Sequence, residues 1–329
     1  MSREEILHFL KGPKRDLELF RMADGVRRGR CGDGVHVRGI IEFSNHCCRN
    51  CLYCGLRRDN KSLIRYRIEE SEIVDRARWI AAAGIRTIVL QSGDDLQYTR
   101  RVLCRIIERV KQNDDVAVTL SLGERPFDDY RDFRLAGADR YLLKHETANS
   151  ELYRRLHPGQ TLEKRIQILE FLRRIGYQIG AGNIVGLPGQ THEDLYADIL
   201  LLGDLDPDML SVGLFIPQRD TPLSHTTPGD ISTALRVLAL ARIATRDSHM
   251  PVTTAIATAD PERGLVRGLK AGANVIMPDC TPDPYREKYA IYDGKTQITL
   301  QRAKEAILAA GRIVAETRGD SLKRYEESV

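Results

Sequence analysis

The chain has 329 residues, 42% of them apolar, and sets 50 Lys and Arg against 46 Asp and Glu for a formal net charge of +4. That apolar content is enough to build a core and excludes a wholly disordered chain. A charge so small and so mixed calls for neither a nucleic-acid nor a membrane partner.

Residues 1–10 carry Arg3, Glu4 and Glu5 without a long apolar run, and nowhere do 18 uncharged apolar residues occur together. Neither a signal peptide nor a spanning helix is expected, and a cytoplasmic location is the default. Seven cysteines, four of them between Cys47 and Cys54, then point to a metal or cluster site rather than to disulfides.

Residues 1–34 read as helical packing ahead of the first strand. Short β-type runs then alternate with amphipathic stretches, and strands are predicted at 35–43, 85–91, 116–122, 140–145, 178–185, 209–216, 252–257 and 274–277. The helix before the second strand starts near Glu70 and Ser71 and stops at Gly84, with Ile73, Ala77 and Ile80 inward. After Thr161, the residues Leu162, Ile166, Leu169, Leu172 and Ile175 form one stripe, with Thr161 as cap and Gly176 as stop. Leu235, Leu238, Ala239 and Ile243 repeat the pattern after Thr233. Residues 296–318 read as a closing helix, and the polar tail beyond Arg318 as fraying.

Eight strands separated by helices predict an α/β protein, a closed parallel (β/α)8 TIM barrel in preference to a doubly wound open sheet. No Pro-, Gly- or Ser-rich linker divides the chain. The expected organisation is one domain: a helical extension over 1–34, the barrel over 35–295, and a C-terminal helix and tail over 296–329.

In such a barrel the chemistry lies where strands end. The first strand runs into Ser44, Asn45, His46 and then Cys47, Cys51 and Cys54, a C-x3-C-x2-C spacing. Three thiolates can hold three irons of a [4Fe-4S] cluster and leave the fourth open to a cofactor or substrate. Cys48, Cys51 and Cys54 also form a ferredoxin-like C-x2-C-x2-C, but Arg58 stands where the next cysteine would fall. A zinc site would have to recruit His46. Cys31, Cys104 and Cys280 are isolated and read as small core residues or surface thiols.

C-x3-C-x2-C after the first strand of a (β/α)8 pattern resembles the radical S-adenosylmethionine (SAM) superfamily. The runs IEFSN (41–45), CLYCGLRRDN (51–60), TIVLQSGD (87–94), VTLSLGE (118–124), DRYLLKHETAN (139–149), VGLPGQT (185–191) and ANVIMP (273–278) look like the HydE family of [FeFe]-hydrogenase maturases, in the biotin-synthase-like branch. The alternative within that branch is a 3-methylornithine synthase-like mutase of pyrrolysine biosynthesis.

The resemblance implies an enzyme whose cluster binds SAM and reductively cleaves it to a 5′-deoxyadenosyl radical. Tyr53 matches the aromatic beside the adenine, and Ser92, Gly93 and Asp94 match the segment that holds the SAM amino group. Ile184 lies in the G-x-I-x-G element of the fifth strand, Glu146 matches an acid facing SAM, and Arg165 matches the arginine that pairs with the SAM carboxylate. For Arg165 the plainer reading is a helix-surface charge; for Glu146 it is a salt bridge to Lys144. Thr119, Thr253, Thr254, Tyr289 and Tyr292 match positions lining the inner cavity, where small anions bind, although Thr is also simply a good strand residue. Arg38 belongs to the same set, since a charge pointing into a barrel needs a partner. His145 could serve in acid–base work, but the plainer reading is a satisfied structural histidine.

The implied substrate is an organometallic iron complex bearing carbon monoxide, cyanide and cysteine, made by HydG, and the implied product is a diiron precursor passed on to HydF. A ferredoxin or flavodoxin is the expected reductant. Some HydE proteins carry a second cluster on C-terminal cysteines, but residues 295–318 contain none, so one cluster is expected here. Asp94 in place of the family's Glu is a smaller departure.

Overall fold

The alternation of patterns becomes a ring of parallel strands inside a ring of helices in the computed structural model, which describes residues 1–112 and 115–323. The chain opens with α1 (Arg3–Leu10) and α2 (Asp16–Cys31), then β1 (Gly34–Val37), β2 (Gly39–Ser44), α3 (Glu70–Ala82), β3 (Thr87–Ser92), α4 (Arg100–Lys111) and β4 (Ala117–Ser121). There follow α5 (Phe127–Leu135), β5 (Arg140–Leu142), α6 (Ser150–Leu156), α7 (Leu162–Arg174), β6 (Gln178–Val185), α8 (His192–Leu205) and β7 (Met209–Leu214). Last come α9 (Ile231–Thr245), β8 (Pro251–Val252), α10 (Thr254–Ala259), α11 (Gly264–Lys270), β9 (Val275–Ile276), α12 (Leu300–Ala309) and β10 (Ile313–Ala315).

Strands β2 to β7 pair in chain order in one parallel sheet, and β10, β1, β9 and β8 form a second. Two seams close them into a barrel. At the first, β1 and β2 act as a single stave running past β9: Arg38 N donates to Ile276 O and Ile40 N to Pro278 O, both at 3.0 Å, and Cys280 N donates to Ile40 O at 2.8 Å. At the second, Leu210 N donates to His249 O at 2.9 Å and His249 N to Asp208 O at 2.8 Å. With β1 and β2 counted together the ring has the eight staves expected from the sequence, and β10 is added outside it on β1.

Helix α7 shows why these segments fold as they do. Thr161 Oγ1 accepts from Lys164 N at 3.3 Å to start it, and Gly176, at φ +87°, turns the chain out of it. Leu162, Ile168, Leu169 and Leu172 are buried, each contributing roughly 1.5–3 kcal/mol of transfer free energy. Ile166 and Ile175 of the expected stripe are only partly buried, and Arg165 is buried in their stead.

Three expectations fail locally. The run 252–257 is not a strand: β8 stops at Val252 and α10 begins at Thr254. An apolar run this short carries no decisive period, and the alanines at 255, 257 and 259 favour helix. The closing helix is shorter than 296–318, ending at Ala309, after which Gly311 at φ +74° turns the chain into β10.

Nor does the tail fray as far as Lys323. Arg140 Nη2 donates at 2.9 Å to the carbonyls of Arg318 and Gly319 and to Asp320 Oδ1, while Ser321 N donates to Gln178 Oε1 at 3.0 Å. Arg140 and Gln178 begin β5 and β6, so the tail seals the barrel at the strands' N-terminal end, away from the loop that follows β2. The end of the tail, 324–329, lies outside the described residues.

Candidate active site

The loop after β2 has almost no regular structure, so its backbone polar groups must find partners elsewhere. One guanidinium supplies many of them: Arg65 donates to the carbonyls of Asn45 (2.5 Å), Leu56 (2.9 Å), Arg57 (2.7 Å) and Asn60 (3.1 Å). Asn45 Nδ2 donates to Ile64 O at 2.9 Å and Lys288 O at 2.8 Å, while Asn45 Oδ1 accepts from Tyr66 N at 2.8 Å. The end of β3 then presses on the loop. Gly93 N donates to Ser44 O at 3.2 Å and Cys48 N to Asp94 O at 3.0 Å. A Cβ at Gly93 would lie 2.3 Å from His46 O and 2.8 Å from Cys47 Cβ, so the contact is made backbone to backbone.

This loop forms one wall of a cavity of about 360 Å³ inside the C-terminal end of the barrel, and Cys47, Cys51 and Cys54 all line it. Burial pushes each of the three thiols up to about 12. Held thiolates there need a compensating positive charge, which iron supplies. Among the described residues no group of three His, Cys, Asp or Glu side chains could hold a single metal ion. The three thiols share one wall of the cavity, and a trio of thiolates suits a [4Fe-4S] cluster. Cys48 is exposed and does not line the cavity.

Beside the thiols runs a chain of charges. Arg49 Nε donates to Asp94 Oδ2 at 2.7 Å and Arg49 Nη2 to Glu124 Oε2 at 3.3 Å. Arg165 binds the other oxygen of Glu124 through Nε at 3.1 Å, with Nη1 on Lys144 O and Nη2 on Gln160 Oε1, both at 2.9 Å. Arg165 is therefore an inward residue of the cavity wall, not a helix-surface charge. Burial pushes the Asp94 carboxyl up, against the pull of Arg49. Ser92 Oγ turns away to donate to Gly93 O at 2.7 Å.

Glu146 ends the fourth stave at φ +66°, a strained conformation for a side-chain-bearing residue. The neighbouring stave imposes it: Glu146 N donates to Gly182 O at 2.9 Å and Ile184 N to Glu146 O at 2.8 Å. Lys144 Nζ lies 3.0 Å from Glu146 Oε2, so the salt bridge of the plainer reading is present. Burial would raise this carboxyl; Lys144 and Arg165 outweigh it and hold the group below the usual carboxylate range.

Opposite lies an apolar shelf, where Tyr53 packs with Leu152, Leu156, Ile184, Leu187 and Phe215. Its hydroxyl is 2.8 Å from Nε2 of His157, whose ring burial drives down to about 4.

Thr253, Thr254, Tyr289 and Tyr292 also line the cavity. Thr253 Oγ1 donates to Val212 O at 3.2 Å. Lys295 is bonded to Glu42, which burial pushes up to about 7, and lies near Asp279; all three line the cavity as well.

Two of the expected ligand contacts are placed elsewhere. Arg38 is not on the cavity wall; it sits at the sealed end, with Nη1 2.9 Å from Met209 Sδ and Nη2 3.3 Å from Gly319 O. Thr119 is also off the wall, two residues below the cavity-lining Ser121 on the same face of β4, and its buried hydroxyl has no partner among the described residues. His145 is fully buried with both ring nitrogens unpartnered among the described residues, so the reading of a satisfied histidine does not hold.

Comparison with known proteins decides the family. Residues 41–202 match the model of the radical SAM superfamily. The [FeFe] hydrogenase maturase subunit HydE of Thermotoga maritima is 53% identical over 277 residues, which cover 84% of this chain and 79% of that one. The chain belongs to the HydE family of radical SAM enzymes. More distantly, this HydE-family chain is similar to the 3-methylornithine synthase of Methanosarcina acetivorans, at 28% identity over 278 residues, 84% of this chain and 78% of that one. A crystal structure of methylornithine synthase shares the fold at a TM-score of 0.86 and 24% identity, covering 95% of this chain and 94% of that one. Enzymes of the superfamily use a [4Fe-4S] cluster and SAM, and the three-thiol wall fits that requirement.

Reading the HydE-family sequence alone missed Arg49, Glu124, His157, Gln160 and the Glu42–Lys295 pair. Glu124 had a signal, because it stands just beyond the end of a barrel strand, as does Glu146. Of the others, Glu42 lies within β2 and the rest come from loops, and they become neighbours only through the fold.

Proposed function

We propose that this HydE-family enzyme binds one [4Fe-4S] cluster on Cys47, Cys51 and Cys54 and cleaves SAM reductively. The resulting 5′-deoxyadenosyl radical then acts on an iron complex carrying carbon monoxide, cyanide and cysteine during [FeFe]-hydrogenase H-cluster assembly. The observation that carries this reading is the grouping of three partly buried thiols on one wall of a closed barrel cavity. When bound, the cluster supplies the electron that breaks the sulfonium bond, and its iron without a cysteine anchors SAM.

The chain's own residues position and enclose. Tyr53, Ile184 and Phe215 give the adenine an apolar shelf. The cavity-lining carboxylate of Glu146, held beside Lys144, accepts from a hydroxyl or ammonium group of SAM. Ser92, Gly93 and Asp94 hold the loop against the cavity and border the SAM amino group. Arg165, fixed by Glu124 and Gln160, directs its remaining N–H capacity at the SAM carboxylate. Thr253, Thr254, Tyr289 and Tyr292 line the part of the cavity where the substrate lies, and Arg38 and Thr119 would meet only a ligand reaching beyond it. The tail over the far end keeps water from the radical.

HydG supplies the iron complex and HydF receives the product in this reading, within the cytoplasm. Anaerobically reconstituted protein given SAM and dithionite should form 5′-deoxyadenosine and methionine, and should consume the iron complex with them. No 5′-deoxyadenosine at four irons per chain refutes the reading, and conversion of lysine to methylornithine would transfer it to the mutase.

A further inference from the structure

We propose that the outer face of the cysteine loop docks an acidic one-electron carrier protein, with Arg58, Lys61 and their basic neighbours as its electrostatic footprint. The proposal rests on the reading of the chain as a reductive SAM-cleaving enzyme, which needs one electron per cleavage from outside.

The loop has two faces. Cys47 and Asp94 line the barrel cavity, and both also line a second, open depression on the outer surface, together with His46, Cys48, Arg58 and Leu96. The residues holding the cluster are therefore the partition between the reaction chamber and this surface. Electron tunnelling falls steeply with distance, so a carrier seated here reaches the cluster by the thinnest wall and without entering the sealed cavity.

The surface carries a matching charge. Residues 57–67 hold five cations (Arg57, Arg58, Lys61, Arg65, Arg67) and one carboxylate (Asp59), an excess of four in eleven residues, as large as the +4 of the whole chain. Little of it is neutralised. Arg65 spends its hydrogen bonds on neutral carbonyls, and Arg57 and Lys61 have no carboxylate partner among the described residues. Arg67 is paired with Asp95 at 2.7 Å, and Arg58 meets Asp59 at 3.2 Å across exposed surface, where solvent weakens the pair. Exposed apolar side chains lie among these charges: Leu96, 56% exposed, borders the depression, and Ile64, 69% exposed, sits in the basic segment. Apolar anchors set in a segment of net positive charge, with Asp94 and Asp95 already held by Arg49 and Arg67, suit a transient partner of the opposite sign, steered by long-range attraction and released after transfer. On transfer the carrier loses one electron and the cluster gains it; no protein bond is made or broken.

The test uses reconstituted holoenzyme and a reduced acidic flavodoxin as probe. Its dissociation constant should rise at least tenfold in R58E/K61E, and the salt dependence of binding should flatten. The charge-matched control R263E/K304E, on exposed positions of the outer helices, should bind within twofold of the parent. Flavodoxin-driven 5′-deoxyadenosine formation should fall with binding in R58E/K61E, while the dithionite-driven rate stays within twofold.

An unchanged dissociation constant, an equal loss in the control, or a parallel loss with dithionite overturns the docking site. If dithionite drives no cleavage even in the parent, the radical SAM reading fails; the binding comparison still decides separately whether the surface docks the carrier.

Discussion

Gly93→Ala probes the closest approach in the site. Its Cβ would sit 2.3 Å from His46 O, whereas ordinary contact begins near 3.4 Å, so the end of β3 and the cysteine loop must part by about 1.1 Å. The bonds that tie them, Gly93 N to Ser44 O at 3.2 Å and Cys48 N to Asp94 O at 3.0 Å, cannot stretch that far. Overpacking costs about 1–3 kcal/mol, and two weakened hydrogen bonds add about 1 kcal/mol each. A loss of about 3–5 kcal/mol lowers Tm by roughly 4–7 °C in a chain of this size.

The functional effect should exceed the stability effect, because a site displaced by ~1 Å no longer presents its ligands together. Iron content after anaerobic reconstitution and the charge-transfer absorption should both fall well below the parent. Gly203→Ala, in α8 with nothing within 4 Å of the new methyl, is the control and should be neutral or mildly stabilising. Full iron loading and an unshifted Tm in Gly93→Ala would refute the idea that backbone contact with β3 sets the loop.

Cys47→Ala should abolish cluster assembly and Cys48→Ala should leave it intact, read by iron content; the reverse pattern would overturn the ligand assignment. Glu146→Gln should weaken SAM binding about tenfold, roughly 1.4 kcal/mol, with the cluster retained; an unchanged SAM dissociation constant removes that role. Asp95 gives a pH test. Burial opposes its ionisation, but Arg67, Ser44 and Gln97 N outweigh burial and hold its carboxyl below the usual range. A folded value below the unfolded one of about 3.9 means stability that is complete above that pH and lost as pH falls through the folded value. Asp95→Asn should therefore cost about 2–3 kcal/mol at pH 7 and progressively less below pH 4 by denaturant unfolding. An equal cost at both pH values contradicts the linkage.

Some of this was legible because the chemistry is local in sequence. Cys47, Cys51 and Cys54 fall within one loop, so their spacing alone announces a cluster, and eight strand patterns with helices between them imply a barrel whatever the details of packing. Glu146 and Tyr53 could be singled out because each stands at a strand end or within that loop. The partnership of Arg49, Asp94, Glu124 and Arg165 could not, since its members come from four different segments and meet only once the barrel has closed. Arg38 shows the same limit: an inward charge was expected to meet an anion, and nothing in the sequence placed it at the sealed end beside a carbonyl of the tail, 281 residues away. Polar residues past Arg318 gave no sign that they would be captured by Arg140.

The glycines carry the last step. A glycine near a strand end reads equally well as flexibility, as a turn or as close packing. Gly123, at φ +69°, shows which applies here: its Cβ would lie 1.6 Å from Asp94 Oδ1, inside the carboxylate that Arg49 and Glu124 N hold. A Cβ at Gly93, just past the end of the adjacent strand β3, would meet the cysteine loop at 2.3 Å. Two neighbouring staves thus surrender their side chains at the same level of the barrel, where the wall bearing Cys47 must be thin enough to belong to both the chamber and the surface. A side chain at either place would thicken that wall by about a methyl group's width and push the thiol away from one side or the other. The arrangement therefore makes a definite demand: Gly123→Ala should displace Asp94 and reduce cluster loading, as Gly93→Ala does, although Gly123 touches no cysteine.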